Sequence, residues 1–253
     1  GYSYAQYNLA ECWLHGVGVE QDEVKAVEWY SQAAEQGHAK AQCSLGQCFE
    51  FGVGVPEDEA LAVRWYRKAA EQGIAFAQHS LGIMYEQGMG VDQDHPEAGR
   101  WYRMAAEQGL ANAQFNLGTV YREGKGVTQD HAEAARWCRM AAEQGLAEAQ
   151  YNLGVMHAQG LGTPPDLRQA AAWWRKAAAQ GDEGASTNLQ TTLQWSLATP
   201  GMPVVVAGLV ASLQFNGRAG LVQGPAPRPG RLAVLLDGDS KPTSLREANL
   251  RTA

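Results

Sequence analysis

Six histidines (His15, His38, His79, His95, His131 and His157) and four cysteines (Cys12, Cys43, Cys48 and Cys138) could ligate a metal or act as nucleophiles. Their spacing does not assemble such a site. A zinc-type centre needs two to four ligands converging within a few ångströms. Only His95 and His131 share a repeat position, and packed helical units stand about 10 Å apart. No Cys-x-x-Cys or Cys/His metal spacing occurs, nor does Ser-x-x-Lys, Gly-x-Ser-x-Gly, His-Glu-x-x-His or a P-loop. The Gly-x-Gly strings lack the third glycine and the preceding strand of a phosphate-binding fingerprint. The expectation is therefore no catalytic residue, no metal and no cofactor, hence no enzyme. Free thiols suit a reduced compartment, which points to the cytoplasm. The chain opens Gly1-Tyr2-Ser3 without Met, which leaves room for a natural N-terminus and any targeting segment ahead of it.

Composition narrows the class further. The 253 residues are 45% hydrophobic and 19% charged with a net charge of −7, the profile of a globular chain. The longest apolar run, Pro203 to Leu213, falls well short of the ~20 residues that span a bilayer, so no membrane association is expected. Net acidity disfavours a nucleic-acid partner.

Glycine supplies the organising signal. Gly37, Gly73, Gly109, Gly145 and Gly181 are spaced 36 residues apart, as are Trp29, Trp65, Trp101, Trp137 and Trp173. Leu9, Leu45, Leu81, Leu117, Leu153 and Leu189 keep the step, and so do Asp22, Asp58, Asp94, Asp130 and Asp166. Paired glycines (Gly16/Gly18 through Gly160/Gly162) hold the same register. Such a period denotes stacked supersecondary units.

Each unit reads as helix–loop–helix. Helix A spans about Ala39 to Phe51 in the second unit, with Ala41, Leu45 and Phe49 on one face. It stops at Gly52, where glycine can turn left-handed. Helix B starts at the aspartate, whose carboxylate can accept first-turn N–H groups. Asp94/Glu97, Asp130/Glu133 and Asp166/Gln169 have capping-box spacing. Ala62, Trp65, Ala69 and Ala70 form the apolar face of helix B, the alanines allowing close approach and the tryptophan filling the gap. A glycine inside helix A (Gly46, Gly82, Gly118, Gly154) costs about 1 kcal/mol against alanine, so its recurrence marks a close-packing site. Five units are expected over 1–181, with a capping helix and linker over 182–199. Units that cannot bury a core singly do so by stacking.

The strings Ala-x-Ala-Gln-x-Asn-Leu-Gly (Ala111 to Gly118), Gly-x-Gly-Val (Gly124 to Val127), Asp-x-x-x-Ala-x-x-Trp (Asp130 to Trp137) and Ala-Ala-Glu-Gln-Gly (Ala141 to Gly145) resemble the Sel-one-like repeat, a relative of the tetratricopeptide repeat. The resemblance covers roughly residues 1–197. It implies a mainly α fold, a right-handed α-solenoid used as scaffold or adaptor in signalling, protein quality control or bacterial host interaction. Some secreted bacterial members carry a cysteine pair in each repeat and were once described as binding β-lactams. The alternative so implied is a β-lactam-binding or -hydrolysing, or peptidoglycan-associated, repeat protein. This chain lacks that regular pairing.

By analogy with tetratricopeptide arrays, helix A lines the concave face. Positions that vary between units fall there in one stripe: Tyr4, Tyr7, Glu11 and Leu14; Lys40, Cys43, Gln47 and Glu50; Phe76, His79, Ile83 and Glu86. Asn112, Phe115, Thr119 and Arg122 continue it, then Glu148, Tyr151, Val155 and Ala158. Aromatics recur in one column (Tyr7, Phe115, Tyr151, with His79), and aligned aromatics usually mean recognition. The expected partner-binding residues are Tyr4, Tyr7, Lys40, Phe76, His79, Ile83, Phe115, Arg122, Tyr151 and Val155, holding a segment of a protein or peptide against a monomer. Lys40 and Arg122 are the only cations in the stripe, too few for a carboxylate clamp.

Beyond Pro200 the period vanishes. Residues 200–253 carry six Lys/Arg and three Asp/Glu, leaving net −10 on residues 1–199. Short strands are expected at Val204–Val206, Leu209–Leu213, Ala219–Val222, Leu232–Leu236 and Thr243–Leu245, with hairpin turns at Asn216-Gly217 and Asp237-Gly238. Gly208-Leu209, Asn216-Gly217-Arg218-x-Gly220, Gly230-Arg231-x-x-Val234, Ser244-Leu245-Arg246 and Asn249-Leu250 look like a Src-homology-3-like small β-barrel.

Overall fold

A computed structural model describes residues 2–198 with side chains through 190, and beyond them the backbone of 203–206, 219–225, 231–236, 243–246 and 250–252. Its described helices alternate as the period requires, and the fold class is an α-solenoid. The A helices are α1 (Tyr2–His15), α3 (Ala39–Phe51), α5 (Ala75–Gln87), α7 (Ala111–Glu123) and α9 (Ala147–Gln159). The B helices are α2 (Glu23–Glu35), α4 (Glu59–Glu71), α6 (His95–Glu107), α8 (His131–Glu143) and α10 (Leu167–Ala178), followed by α11 (Glu183–Ala198). Contacts divide the chain into two units, 1–166 and 167–253.

In the first unit, each A–B loop is pinned at both ends. Gly52, Gly88 and Gly124 take left-handed φ near +70° and donate N–H back to Cys48, Met84 and Val120. Asp22, Asp58, Asp94 and Asp130 then cap helix B, accepting backbone N–H bonds from Lys25, Leu61, Glu97 and Glu133 at 2.8–3.0 Å. The reciprocal half of the capping box is not made. Each aspartate's own N–H donates instead to the preceding A helix (Asp94 to Tyr85 O at 2.9 Å, Asp130 to Tyr121 O at 3.0 Å). Glu97 and Glu133 turn to Arg100 and Arg136.

Packing corrects one assignment. Ala41, Leu45, Ala62, Ala69 and Ala70 are buried as expected, but the aromatic at the centre is the tyrosine following the tryptophan: Tyr30, Tyr66 and Tyr102 are fully buried. Trp65 and Trp101 are half-buried against clusters that straddle two repeats, the first joining Ala10 and Tyr30 to Leu45 and the second joining Tyr66 to Leu81, whereas Trp137 is buried beside Leu117 as the core filler expected. Trp65 and Trp101 seal the seam between units; the tyrosine fills the hairpin.

The interior glycines explain why a tyrosine fits. A Cβ on Gly46 would lie 2.8 Å from the Tyr66 ring, and one on Gly82 would lie 2.6 Å from the Tyr102 ring. Position 138 is cysteine, and there the backbone closes in: a Cβ on Gly118 would meet Ala134 O at 3.2 Å and Cys138 N at 3.3 Å. The second loop glycine has a separate duty between repeats. A Cβ on Gly54 would stand 2.3 Å from Glu23 O, at the start of the previous helix B.

A glutamine ladder completes the first unit. Gln42, Gln78, Gln114 and Gln150 donate side-chain N–H to Ala34, Ala70, Ala106 and Ala142 carbonyls at 3.0–3.2 Å. Each amide is a second donor to a last-turn carbonyl that also accepts the N–H of the following glycine (Gly37, Gly73, Gly109 and Gly145) at 3.0–3.1 Å. Gln72, Gln108 and Gln144 donate in turn to Gln42, Gln78 and Gln114 at 2.7–2.8 Å, tying the two helices of each hairpin, while the bonds to Ala34, Ala70, Ala106 and Ala142 cross from one hairpin to the next.

In the second unit α10 packs on α11, burying Ala170, Trp174, Ala177 and Ala185. Asp182 caps α11 through Ala185 N at 2.6 Å. Five strands pair antiparallel in the order β4-β3-β2-β1-β5: β1 (Pro203–Val206), β2 (Ala219–Pro225), β3 (Arg231–Leu236), β4 (Thr243–Arg246) and β5 (Leu250–Thr252). Val204 lies opposite Gly220 and Thr252, and the β2–β3 register shifts between Val222 and Gly224. Among the described residues β4 and β5 are edges, so the pairing does not close a barrel. The expected strand Leu209–Leu213 and both expected hairpin turns lie outside the described residues, whereas β5 was not among the expected strands.

Two glycine substitutions should move stability in opposite directions. Gly82→Ala drives a methyl into the Tyr102 ring and should cost about 1–3 kcal/mol. Gly99→Ala sits in mid-helix with its nearest neighbour, Val120, at an ordinary 3.6 Å. It should stabilise by up to about 1 kcal/mol through helix propensity. Urea midpoints of the two variants check both signs.

Candidate functional site

The varying stripe of helix A is where the first unit leaves side chains partly open. Tyr4 and Phe76 are exposed, and Tyr7, Ile83, Phe115, Arg122, Tyr151 and Val155 are half-buried, with Lys40 exposed. Tyr7 stacks on His38 at 4.9 Å between centroids, and Tyr4 meets the same imidazole edge-on at 4.5 Å. Ile83 packs against the cluster around Tyr102 and Leu117. Arg122 is ion-paired to Glu123 at 2.8 Å.

His79 is placed differently from the rest of its column. It is only 8% exposed, its Nε2 lies 3.1 Å from Asn116 Nδ2, and its ring lies 5.8 Å from Tyr102. Burial pushes its pKa down. His79 therefore serves the packing between repeats and offers the open face little surface.

Carboxylates missing from the expected site organise it. Glu11, Glu50 and Glu86 accept the buried hydroxyls of Tyr30, Tyr66 and Tyr102 at 2.5, 2.5 and 2.6 Å. An unsatisfied buried hydroxyl costs about 1–3 kcal/mol, so a tyrosine in the hairpin calls for an acceptor at the rim. In the fourth repeat both partners change: Cys138 replaces the tyrosine and Arg122 replaces the acid. The smaller side chain leaves a cavity of about 10 Å³, bordered by Phe115, Gly118, Arg122 and Cys138, on the scale of one water molecule. The signal lay in the sequence as a covariation between positions 50/86/122 and 66/102/138.

A larger cavity, about 600 Å³, opens between the first two repeats, bordered by Tyr7, Glu11, Leu14, Tyr30, Phe51 and Val53 among others. On the B side, a depression of about 390 Å³ along α4 is basic, with Arg64, Arg67 and Lys68 around Trp65. There the Lys68 ammonium sits 4.0 Å from the indole centroid.

Three of the four thiols are poor nucleophiles. Burial pushes Cys43 up to about 12, Cys48 to about 11 and Cys138 to about 12. All four cysteines are free. Among the described residues no group of three or more His, Cys, Asp or Glu is placed to hold a metal ion, and no helix is long and apolar enough to cross a membrane.

Burial, reinforced by the neighbouring glutamates, raises the Tyr30, Tyr66 and Tyr102 hydroxyls far above the ordinary phenol range. The unfolded chain then loses these protons first. Their contribution to stability is complete below about pH 10 and drains away as pH rises beyond it. Near-ultraviolet phenolate absorbance should rise short of the full nine tyrosines. The remainder should appear only with loss of helical circular dichroism. All nine titrating with the helices intact would refute the assignment.

The Sel1 repeat profile matches residues 3–38, 39–74, 75–110, 111–146 and 147–182. The Src-homology-3-like expectation for 200–253 finds no support in that match, which stops at residue 182. A protective antigen of uropathogenic Escherichia coli strains displaying an SLR fold is 40% identical with a TM-score of 0.74, over 76% of this chain and 41% of the antigen. This chain thus spans about two fifths of that protein's length. A Sel1 repeat protein from Oxalobacter formigenes is 38% identical with a TM-score of 0.71, over 76% of this chain and 79% of that one. No curated protein matches the chain. Five contiguous profile matches over residues 3–182 place this chain in the Sel1 repeat family, whose solenoids generally mediate protein interactions.

Proposed function

We propose that the chain is a non-enzymatic interaction scaffold that holds an extended or helical segment of a partner polypeptide along the helix-A face, the concave side expected of a right-handed solenoid. The observation that carries this reading is the row of part-exposed apolar and aromatic side chains on that face: Tyr4, Tyr7, Phe76, Ile83, Phe115, Tyr151 and Val155. Lys40 and Arg122 add charge at its margin. The neighbouring positions of the same helices are consumed by the core, whereas this row, in which Tyr7 and Ile83 also touch core clusters, varies from repeat to repeat. Sel1 repeat solenoids are typically non-catalytic, in keeping with a scaffold. The β-lactam or peptidoglycan alternative is disfavoured by the absence of paired cysteines in each repeat. Free buried thiols suit the cytoplasm.

For residues 200–253 we propose a separate small β module of Src-homology-3-like topology. Supporting it is the strand order β4-β3-β2-β1-β5, a meander whose last strand returns to pair with the first. Hydrogen exchange on the whole chain should protect amides in all five segments. Uniformly fast exchange there would remove the module.

Alanine at both Phe115 and Tyr151 tests the groove. A partner captured by the unmodified chain, identified and then titrated, should bind the double variant at least tenfold more weakly. The thermal midpoint should stay nearly unchanged. Undiminished binding would refute the groove; a much lower midpoint would mean that these rings hold the fold instead.

A further inference from the structure

The cavity of about 600 Å³ between the first two repeats combines features that repeats three to five do not share. Glu11 is at its wall, with a side chain 36% exposed. Its carboxylate already accepts the Tyr30 hydroxyl at 2.5 Å, which holds it in place without neutralising it. Its only ion-pair partner among the described residues is the solvent-exposed imidazole of His15, 3.7 Å away. Tyr7, Leu14, Phe51 and Val53 supply apolar and aromatic walls, with Phe51 61% exposed at the rim.

The equivalent places further along are differently furnished. The position of Glu11 becomes Gln47, Ile83, Thr119 and Val155 in the later repeats, and that of Phe51 becomes Gln87, Glu123 and Gln159. Among the described residues, the pairing of Glu11 with Phe51, a fixed carboxylate and an exposed aromatic ring bordering one cavity, is not repeated at the equivalent positions further along. A cation with a flat or aliphatic body suits such a place: the charge meets the carboxylate while the stem or plane lies on the rings.

We propose that this cavity is a receptor for an arginine side chain of the partner segment. The proposal rests on the reading of the helix-A face as the binding face and names the chemistry at one end of it. Arginine is the assigned occupant because its planar guanidinium can face an aromatic ring and pair with a carboxylate together. The surrounding charge favours it, since residues 1–199 carry net −10.

The test uses the whole chain and the pentapeptide acetyl-Ala-Ala-Arg-Ala-Ala-amide, with a citrulline counterpart that keeps the shape and loses the charge. The arginine peptide should move the methyl resonances of Leu14 and Val53 saturably, and the citrulline peptide should bind at least tenfold more weakly. Glu11→Gln keeps an oxygen for the Tyr30 hydroxyl and should erase the preference for arginine while the chain stays folded, with at most a small fall in thermal midpoint. Phe51→Ala, at an exposed position, should weaken the arginine peptide several-fold. Equal binding of the two peptides, shifts confined to other repeats, or an arginine preference that survives Glu11→Gln would each overturn the proposal. The groove reading fails separately. A partner sensitive to Phe115 and Tyr151 but indifferent to Glu11→Gln sinks the arginine site alone. Loss of the groove effect with the peptide preference intact sinks the groove alone.

Discussion

A helix with glycine at its centre, Gly46 or Gly82, receives the ring of Tyr66 or Tyr102 where a Cβ would stand under 3 Å from the ring carbons. That approach sets the separation of the two helices in each hairpin, and the rest of the repeat is arranged around it. Glycine at these sites forgoes about 1 kcal/mol of helix propensity, which the fully buried ring offsets, since burying a large apolar side chain contributes about 1.5–3 kcal/mol. The alanines at 62, 69 and 70, and their counterparts at 98, 105 and 106, are buried beside the ring because nothing larger fits at this spacing.

The same contact determines the chemistry of the open face. A buried phenol must have its hydroxyl accepted, and the acceptors are Glu11, Glu50 and Glu86, which stand on the varying side of helix A. The negative charge along the first three repeats is thus in part a consequence of core packing. Where the core aromatic is lost, at Cys138, the requirement lapses and the rim position becomes Arg122. The sign of the face therefore changes between the third and fourth repeats for a reason that begins in the interior.

The period, the loop glycines, the capping aspartates and the helix limits were legible in sequence because each is a local demand on one backbone position. Ala39–Phe51, inferred from spacing alone, is the observed α3. The tertiary assignments were less legible. Constancy singled out the tryptophan as core filler, which holds for Trp137, while Trp29, Trp65, Trp101 and Trp173 stay half-buried; Tyr30, Tyr66 and Tyr102 escaped notice because the series breaks at Cys138 and Trp174. The glutamines of Ala-x-Ala-Gln and Glu-Gln-Gly were visible as letters, but their bonds join residues 8 and 30 apart and only the stacked geometry brings them together. His79 sat in the right column for the open face, but Asn116, 37 residues on, draws it inward. In the candidate site the column of varying residues was legible, and its cavity was not, because a cavity depends on what two successive helices fail to fill.

That last point bears on how a repeat protein acquires individuality. Nearest-neighbour stacking lets each repeat share one core recipe, so stability is roughly a sum over similar units and interfaces. Recognition cannot be such a sum, since identical units would present identical surfaces. In this chain the shared recipe occupies the alanines, leucines, loop glycines and glutamine ladder, and lets the positions of Tyr7, Glu11 and Phe51 vary along the array, even though Tyr7 packs on the first cluster and Glu11 accepts the Tyr30 hydroxyl. Between the first two repeats, Gln47 and Cys48 stand where the next repeat has Ile83 and Met84, and the smaller thiol and polar amide border an open cavity. Met84 is fully buried in the cluster of repeats two and three, and Ile83 is half-buried against that of repeats three and four, so both larger apolar side chains are spent on packing. Local substitution at positions outside the shared recipe is thus sufficient to place one distinct pocket on an otherwise periodic scaffold.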